Sequence, residues 1–97
     1  LANNVKPIVE ADTSNTFRVA GIVKTKKTIT TKKGTPMAFI KIFDETGEME
    51  IVIFPDLYLN HITTTEKNNI LVISGKVERK QDETTFLADE ISLLEEN

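Results

Sequence analysis

Basic side chains are concentrated in one short part of this 97-residue chain. Half of its twelve lysines and arginines lie between residues 18 and 33, where there is no acidic residue, whereas residues 34–97 carry five bases and thirteen acids. The clustered residues are Arg18, Lys24, Lys26, Lys27, Lys32 and Lys33. Because a run of cations can bind a row of anions such as phosphates, this distribution is more informative than the net charge of −3.

Two aromatic residues follow this cluster closely in the chain. The run MAFIKIF (residues 37–43) places Phe39 and Phe43 two positions either side of Lys41. Alternate residues of a β-strand share a face, and lysine is rarely buried, so we expect all three on the outer face of a strand. An exposed aromatic ring can stack on a nucleic-acid base, which favours binding by roughly 1–3 kcal/mol per base. Lysines next to exposed aromatics therefore predict a surface for single-stranded nucleic acid.

Structural interpretations stay open for the same residues. Lysines on an edge strand also guard a sheet against edge-to-edge aggregation. The rings of Phe39 and Phe43 could instead be covered by another domain or by the segment that precedes residue 17. In that case neither ring would bind a base.

Residue types that carry catalysis or hold metals are scarce. The chain has no cysteine and one histidine, His61, which has no nucleophile or carboxylate at an informative spacing. The acidic residues between 44 and 50 surround a predicted hairpin, where carboxylates are usually solvated turn residues rather than metal ligands. We expect no catalytic residue, no metal and no cofactor. No apolar run approaches the roughly 18 residues that a membrane span needs, so we expect no membrane partner.

Alternation of apolar and polar residues predicts five strands and one short helix between residues 17 and 92, which we take as a single domain. Residues 1–16 are interpreted as a linker and residues 93–97 as an acidic tail. The strands are predicted at residues 17–30, 37–43, 48–54, 70–80 and 84–92, and the helix from Asp56 to about Thr64. Gly21 is expected to mark a bulge or sharp bend in the first strand, and Gly47 to supply a positive φ in a hairpin.

Three strands, a short helix and two further strands are the element order of the OB-fold, an all-β, five-stranded Greek-key barrel. An SH3-like barrel is the main rival, but it has no place for this helix. In the OB-fold the nucleic-acid groove crosses the second and third strands beside the loop that follows the first. The basic cluster maps onto that first strand and loop. Residues expected in the core or packed around the helix are Phe17, Phe54, Leu57, Tyr58, Ile62 and Phe86.

Several segments resemble a known family. They are VAGIV (19–23), KKGTPMAF (32–39), DETGEME (44–50), VIFP (52–55), GKVER (75–79) and ADEI (88–91). Over about residues 17–92 the chain resembles the OB domain of the bacterial replicative DNA polymerase III alpha subunit. The most specific part is KKGTPMAF together with the Phe-Pro pair that follows the third strand. Lys41 and Phe43 depart from the family, where a small polar and an acidic residue are expected.

The resemblance implies an accessory module without polymerase carboxylates, which binds the single-stranded template near the active site of its parent chain. It also implies a cytoplasmic setting in the replisome, with the rest of the polymerase and a sliding clamp as partners. We expect a monomer whose isolated affinity for single-stranded DNA is weak, because the domain as a whole is acidic.

Two alternatives from other functional classes remain. One is the anticodon-binding OB domain of class II aminoacyl-tRNA synthetases, which shares the outline of the first strand and the hairpin. Its arginine-rich segment before the second strand is absent, and Glu50 stands where a glutamine is typical. The other is an OB module that docks a protein rather than a nucleic acid, whose binding would not respond to salt.

Overall fold

Strands make up most of the part of the chain that the computed structural model describes, which is residues 5–6 and 16–94. In chain order the elements are β1 (Val5–Lys6), β2 (Thr16–Thr30), β3 (Pro36–Asp44), β4 (Gly47–Ile53), α1 (Pro55–Tyr58), β5 (Ile70–Lys80) and β6 (Glu83–Leu93). Apart from the two-residue β1, this is the predicted order. Residues 1–4, 7–15 and 95–97, which include most of the predicted linker and tail, lie outside the described residues.

The long strand β2 closes the barrel by serving two neighbours. Its first half pairs antiparallel with β5 up to Ile22, and its second half pairs antiparallel with β3 from Ile22 onward. This change of partner falls beside Gly21, where an added Cβ would lie 2.8 Å from the carbonyl oxygen of Phe43, whereas the bulge of β2 lies further along, between Val23 and Thr25. β4 pairs with β3 on one side and in parallel with β6 on the other, and β6 returns to β5. The five long strands thus form a closed OB-fold barrel, as predicted.

The barrel interior is filled by alternate residues of the strands. On β3 these are Ala38, Ile40 and Ile42, all buried, so the side chains between them point outward. The largest fully buried side chains are Phe86, Ile40, Ile42, Ile51, Ile53, Leu71, Ile73, Val19 and Val23. The predicted core positions Phe17, Tyr58 and Phe86 are confirmed, and Leu57 packs against the same cluster. β1 adds a short parallel pairing to β2 at Arg18 and Val19.

The helix is shorter than predicted. It ends at Tyr58, and the chain continues in tight turns in which Asn60 N–H donates to Leu57 O and His61 N–H to Tyr58 O. The sequence that follows, Ile62 and three threonines, is rich in β-branched side chains, which lose rotamer freedom in a helix. The prediction that Ile62 points inward is wrong, since it is 44% exposed. In the described part of the chain, no helix has the length and apolar character to cross a membrane.

Two further local predictions are corrected. Phe54 is 50% exposed instead of packed, because it follows Ile53 at the end of β4 and so falls on the outward phase of the alternation. Gly47 does not have a positive φ. The carboxylate of Asp44 holds this hairpin instead, since its Oδ1 accepts hydrogen bonds from Thr46 N at 2.7 Å and from Gly47 N at 3.1 Å.

Candidate nucleic-acid interface

The side chains that could bind nucleic acid lie on the outward side of β2, β3 and β4, which we call the outer sheet face. Lys27 on β2 is opposite Phe39 on β3, and Phe39 is opposite Val52 on β4. One pleat further along, Lys41 lies between Thr25 and Glu50. Lys27 is exposed, whereas Phe39 and Lys41 are half-buried. The structure therefore brings together a cation, an accessible ring and a second cation.

An open depression marks the centre of this face. It has a volume of about 390 Å³ and is lined by Thr25, Lys27, Phe39, Ile40, Lys41 and Glu50. Its apolar floor and charged rim combine a surface for a base with groups for phosphates. Phe43 lies one further pleat toward the hairpin, half-buried and opposite Glu48. Both aromatic rings thus face outward, as the alternation predicts.

The lysines of the loop between β2 and β3 extend this face. Lys32 and Lys33 are both exposed. The loop is held at its base by a hydrogen bond of 2.7 Å between the hydroxyls of Thr31 and Thr35, and turns at Gly34, whose φ is +85°. The strand pairing between the Lys27–Phe39 pair and the loop is three residues long, about 10 Å. The two loop cations therefore continue the line of cations beyond the depression.

A β-bulge decides which lysines of β2 reach the outer sheet face. Val23 pairs with Ile42, but the next paired residue is Thr25, opposite Lys41, so the register skips Lys24. Before the bulge, odd-numbered residues such as Val23 point into the barrel. After the bulge the even-numbered Lys26 lies on the inward side of the sheet, because it pairs directly with buried Ile40. Uninterrupted alternation would place Lys24 and Lys26 on the same side, and the structure separates them.

Lys26 packs at the end of the barrel that α1 covers. Its Nζ donates to Ile62 O at 2.8 Å and to Glu66 Oε2 at 3.0 Å, and it lies 5.1 Å from the centre of the Tyr58 ring. Only 13% of its side chain is exposed. Burial acts to lower the pKa of Lys26, but hydrogen bonding and charge interactions with Glu66 and Tyr58 outweigh it and raise the pKa above its ordinary value. The structure therefore places this predicted phosphate ligand apart from the outer sheet face.

Arg18 is also apart from the other predicted residues. Its Nε donates to Ser74 Oγ at 3.2 Å, and it lines a second depression of about 510 Å³ together with His61, Asp89 and Glu90. This depression shares no lining residue with the one around Phe39. The acidic neighbours make it a poor place for a phosphate.

Two acidic residues of β4, which the sequence interpretation treated as solvated residues around the hairpin, contact or face the lysines of the outer sheet face. Glu48 Oε2 forms an ion pair with Lys24 Nζ at 2.5 Å, and Glu50 lies opposite Lys41. The hydrogen bond from Lys24 lowers the pKa of Glu48, and the charge of Lys41 adds to this effect. The two-residue turn between Asp44 and Gly47 fixes this register, so the length of the hairpin was the signal that could have found both contacts.

Metal-binding clusters are not part of this site. Within residues 5–6 and 16–94, no three histidine, aspartate or glutamate side chains come together in a way that could hold a metal ion.

Comparison with known proteins supports the family resemblance that the motifs indicate. Residues 17–94 match the family model described as an OB-fold nucleic acid binding domain. The chain is 40% identical over 77 residues to the DNA polymerase III subunit alpha of Bacillus subtilis (strain 168), covering 78% of this chain and 7% of that protein. It is 30% identical over 89 residues to the same subunit of Treponema pallidum (strain Nichols), covering 92% of this chain and 8% of that protein. The resemblance predicted from the motifs is confirmed.

A solved structure supports the fold. A domain of replication protein A from Methanococcus maripaludis superimposes with a TM-score of 0.73 at 21% identity, covering 94% of this chain and 96% of that one. At this identity the likeness shows the fold alone. The polymerase subunits are far longer, and the chain spans less than a tenth of their length.

Proposed function

Because the chain belongs to the family of OB-fold nucleic acid binding domains, we propose that it is a single-stranded DNA-binding module of a DNA polymerase III alpha subunit. In this role it helps to hold the template strand near the polymerase without reading its sequence. The identity of 40% to the alpha subunit of Bacillus subtilis supports the choice of parent protein. The structural likeness to a domain of replication protein A supports the fold on which the proposal depends.

The observation that carries the proposal is the position of Phe39 between two cations. Its half-buried ring lines the depression on the outer sheet face, with Lys27 across the strand pair and Lys41 two residues along β3. A base stacked on the ring would leave its flanking phosphates near these two ammonium groups. Phe43 offers a second ring, and Lys24, Lys32 and Lys33 continue the line of cations. Stacking and phosphate binding are both indifferent to base identity, which is why we propose binding without sequence preference.

The size of the chain relative to its relatives supports a setting within a larger protein. The chain covers 7% of the Bacillus subtilis subunit, so the remainder of such a parent chain would supply the polymerase chemistry. We propose that the module acts as a monomeric accessory domain within the parent chain. Its partners in the bacterial cytoplasm would be single-stranded DNA, the rest of the polymerase and replisome subunits such as the sliding clamp.

The proposal is tested by fluorescence anisotropy of a labelled single-stranded DNA oligonucleotide titrated with the domain at low and moderate salt. Duplex DNA and tRNA serve as competitors. We expect weak binding that falls with salt and that neither duplex DNA nor tRNA displaces efficiently. A preference for tRNA would contradict the proposal in favour of an anticodon-binding role, and no salt-sensitive binding would favour a protein-docking module.

Substitution of the two lysines in the loop between β2 and β3 tests whether phosphates bind there. The variant that combines Lys32→Ala with Lys33→Ala should weaken binding by the same factor for every sequence, and should flatten the slope of log affinity against log salt by about one to two units. Lys76→Ala, which removes an exposed lysine of β5, is the control and should leave both quantities nearly unchanged. Equal effects of both changes would indicate that net charge alone is being measured.

A further inference from the structure

We infer that Glu48 and Glu50 compete with the phosphates of the bound strand for Lys24 and Lys41, and so confine that strand to the β2–β3 side of the outer sheet face. This inference rests on the proposed function, because it names two residues that regulate affinity and path at the same site. No part of it depends on the identity of the parent protein.

The pair formed by Lys24 and Glu48 is built so that a phosphate can replace the carboxylate. The ion pair measures 2.5 Å between Lys24 Nζ and Glu48 Oε2, and the two side chains remain 51% and 45% exposed. An ion pair at this exposure is weak, because water and salt screen it. A phosphate that arrives along β2 can therefore take the place of the Glu48 carboxylate on the lysine, but it must break the existing contact to do so.

Glu50 occupies the corresponding place for Lys41. The two residues are Cα partners across β3 and β4, and both line the depression that holds the Phe39 ring. Directly opposed residues on one face of an antiparallel pair have Cβ atoms about 4.5–5.5 Å apart, within reach of an electrostatic interaction. A strand that crossed toward β4 would bring its phosphates next to the Glu50 carboxylate. The cations of β2 and β3 and the acids of β4 thus make one side of the depression attractive and the other repulsive.

The ionisation state of Glu48 is consistent with its competing with phosphates for Lys24. Its hydrogen bond from Lys24, with a further contribution from the charge of Lys41, lowers the pKa of the carboxyl below its usual range. Glu48 is therefore fully ionised at neutral pH, and it keeps Lys24 occupied in the absence of nucleic acid. Each lysine released from a carboxylate becomes available for one more phosphate contact, and each such contact adds about 0.7 to the salt slope for a single strand.

The test compares three variants that make the same chemical change in the folded domain. Glu48→Gln and Glu50→Gln remove the proposed competitors, and Glu90→Gln removes an exposed acid that lines the separate depression beside Arg18. We expect each of the first two to tighten binding of a labelled single-stranded oligonucleotide by about twofold to fivefold, the range typical of exposed ion pairs. Each should also steepen the salt slope by about 0.7. Glu90→Gln should change affinity by much less.

A double-mutant cycle separates competition from a general change of charge. If Glu48 acts by occupying Lys24, Glu48→Gln should lose most of its effect when Lys24→Ala is already present. A gain that persists unchanged in the Lys24→Ala background, or that Glu90→Gln reproduces in full, overturns the inference. Both outcomes leave the proposed function intact, provided that the unsubstituted domain binds single-stranded DNA.

Failure of the proposed function would look different. In that case the unsubstituted domain would show no salt-sensitive binding of single-stranded DNA, and the Lys32→Ala, Lys33→Ala variant would behave in the same way. Binding that then emerged in the Glu48→Gln, Glu50→Gln double variant would still support competition. No binding in that double variant would overturn the inference together with the proposed function.

Discussion

Lys26 and Lys27 are adjacent in the chain but belong to two different regions of the molecule. Lys27 is exposed on the outer sheet face, opposite the Phe39 ring. Lys26 lies on the other side of the sheet at what we call the closed end of the barrel, defined by Lys26, Tyr58 and Glu66. There its ammonium is hydrogen-bonded and only 13% of its side chain is exposed. The first region leaves its cation exposed, and in the second a largely buried cation holds the segment after α1.

This difference shows that counting the clustered lysines in a sequence overestimates how many of their ammonium groups are exposed and available to a ligand. A lysine whose hydrogen bonds are made by the protein has no free charge to offer a phosphate, and its aliphatic part packs like an apolar side chain. The bulge at Lys24 determines which lysines of β2 fall in which region. Substitutions at the closed end should therefore change the free energy of unfolding, and those on the outer sheet face should change binding.

The largest expected effect is at the closed end, where Tyr58 is 3% exposed and packs in the core cluster. Tyr58→Ala should lower the free energy of unfolding by about 3 kcal/mol, because it leaves a cavity and removes the ring beneath the Lys26 ammonium. Urea denaturation measures this quantity. Tyr58→Phe is the matched control and should lose about 1 kcal/mol, since it keeps the buried ring and removes only the hydroxyl, with its 3.4 Å contact to Thr28 and its interaction with Lys26. A stable Tyr58→Ala variant that binds DNA poorly would break the division into two regions.

The next effect in size concerns the outer sheet face. Phe39→Ala should weaken binding of single-stranded DNA by about 1–3 kcal/mol, because it removes the stacking platform. The half-buried ring lies outside the core cluster, so the free energy of unfolding should change much less than in Tyr58→Ala. Phe39→Tyr keeps an aromatic ring and should retain most of the affinity. A loss of thermal stability with unchanged binding would show instead that Phe39 is a packing residue.

The fold could be predicted from the sequence because the alternation of apolar residues is strong in every strand. Ala38, Ile40 and Ile42 in β3 fix the inward face of that strand without any tertiary information, and the same pattern places Phe39 and Phe43 outside. The predicted order of strands and helix therefore led to the correct barrel. Phe54 was misplaced because its aromatic character was given more weight than its outward phase in the strand.

The candidate site was less predictable because it depends on the register between strands. No residue type near Lys24 predicts the bulge there. If the bulge is left out, the alternation places Lys26 on the outward side of β2 instead of the inward side. Arg18 belongs to the part of β2 that pairs with β5, a contact made by residues more than fifty positions away. Sequence patterns of this kind report which residues of one strand share a face, but not which side chains of other strands stand beside them.

A smaller effect directly compares the two adjacent lysines. Lys26→Met and Lys27→Met each keep an unbranched apolar side chain and remove one charge. Lys26→Met should lower the free energy of unfolding by about 1 kcal/mol through loss of the ion pair and the cation–π contact, with the salt slope of DNA binding unchanged. Lys27→Met should reduce that slope by about 0.7 and leave stability nearly unchanged. Identical salt slopes for the two variants would break the comparison.

The smallest effect is a dependence of stability on alkaline pH at the closed end. Since the pKa of Lys26 is raised from 10.5 in the folded state, its folded form holds the proton more tightly than the unfolded chain does. The stability that this adds is fully present below the unfolded pKa and is lost as the pH rises through the folded value. The difference in free energy of unfolding between the unsubstituted domain and Lys26→Met should therefore be constant from pH 7 to 9 and should shrink above about pH 10.5. A difference that does not shrink as the pH rises above about 10.5 would show that the charge of Lys26 does not add to the stability of the closed end.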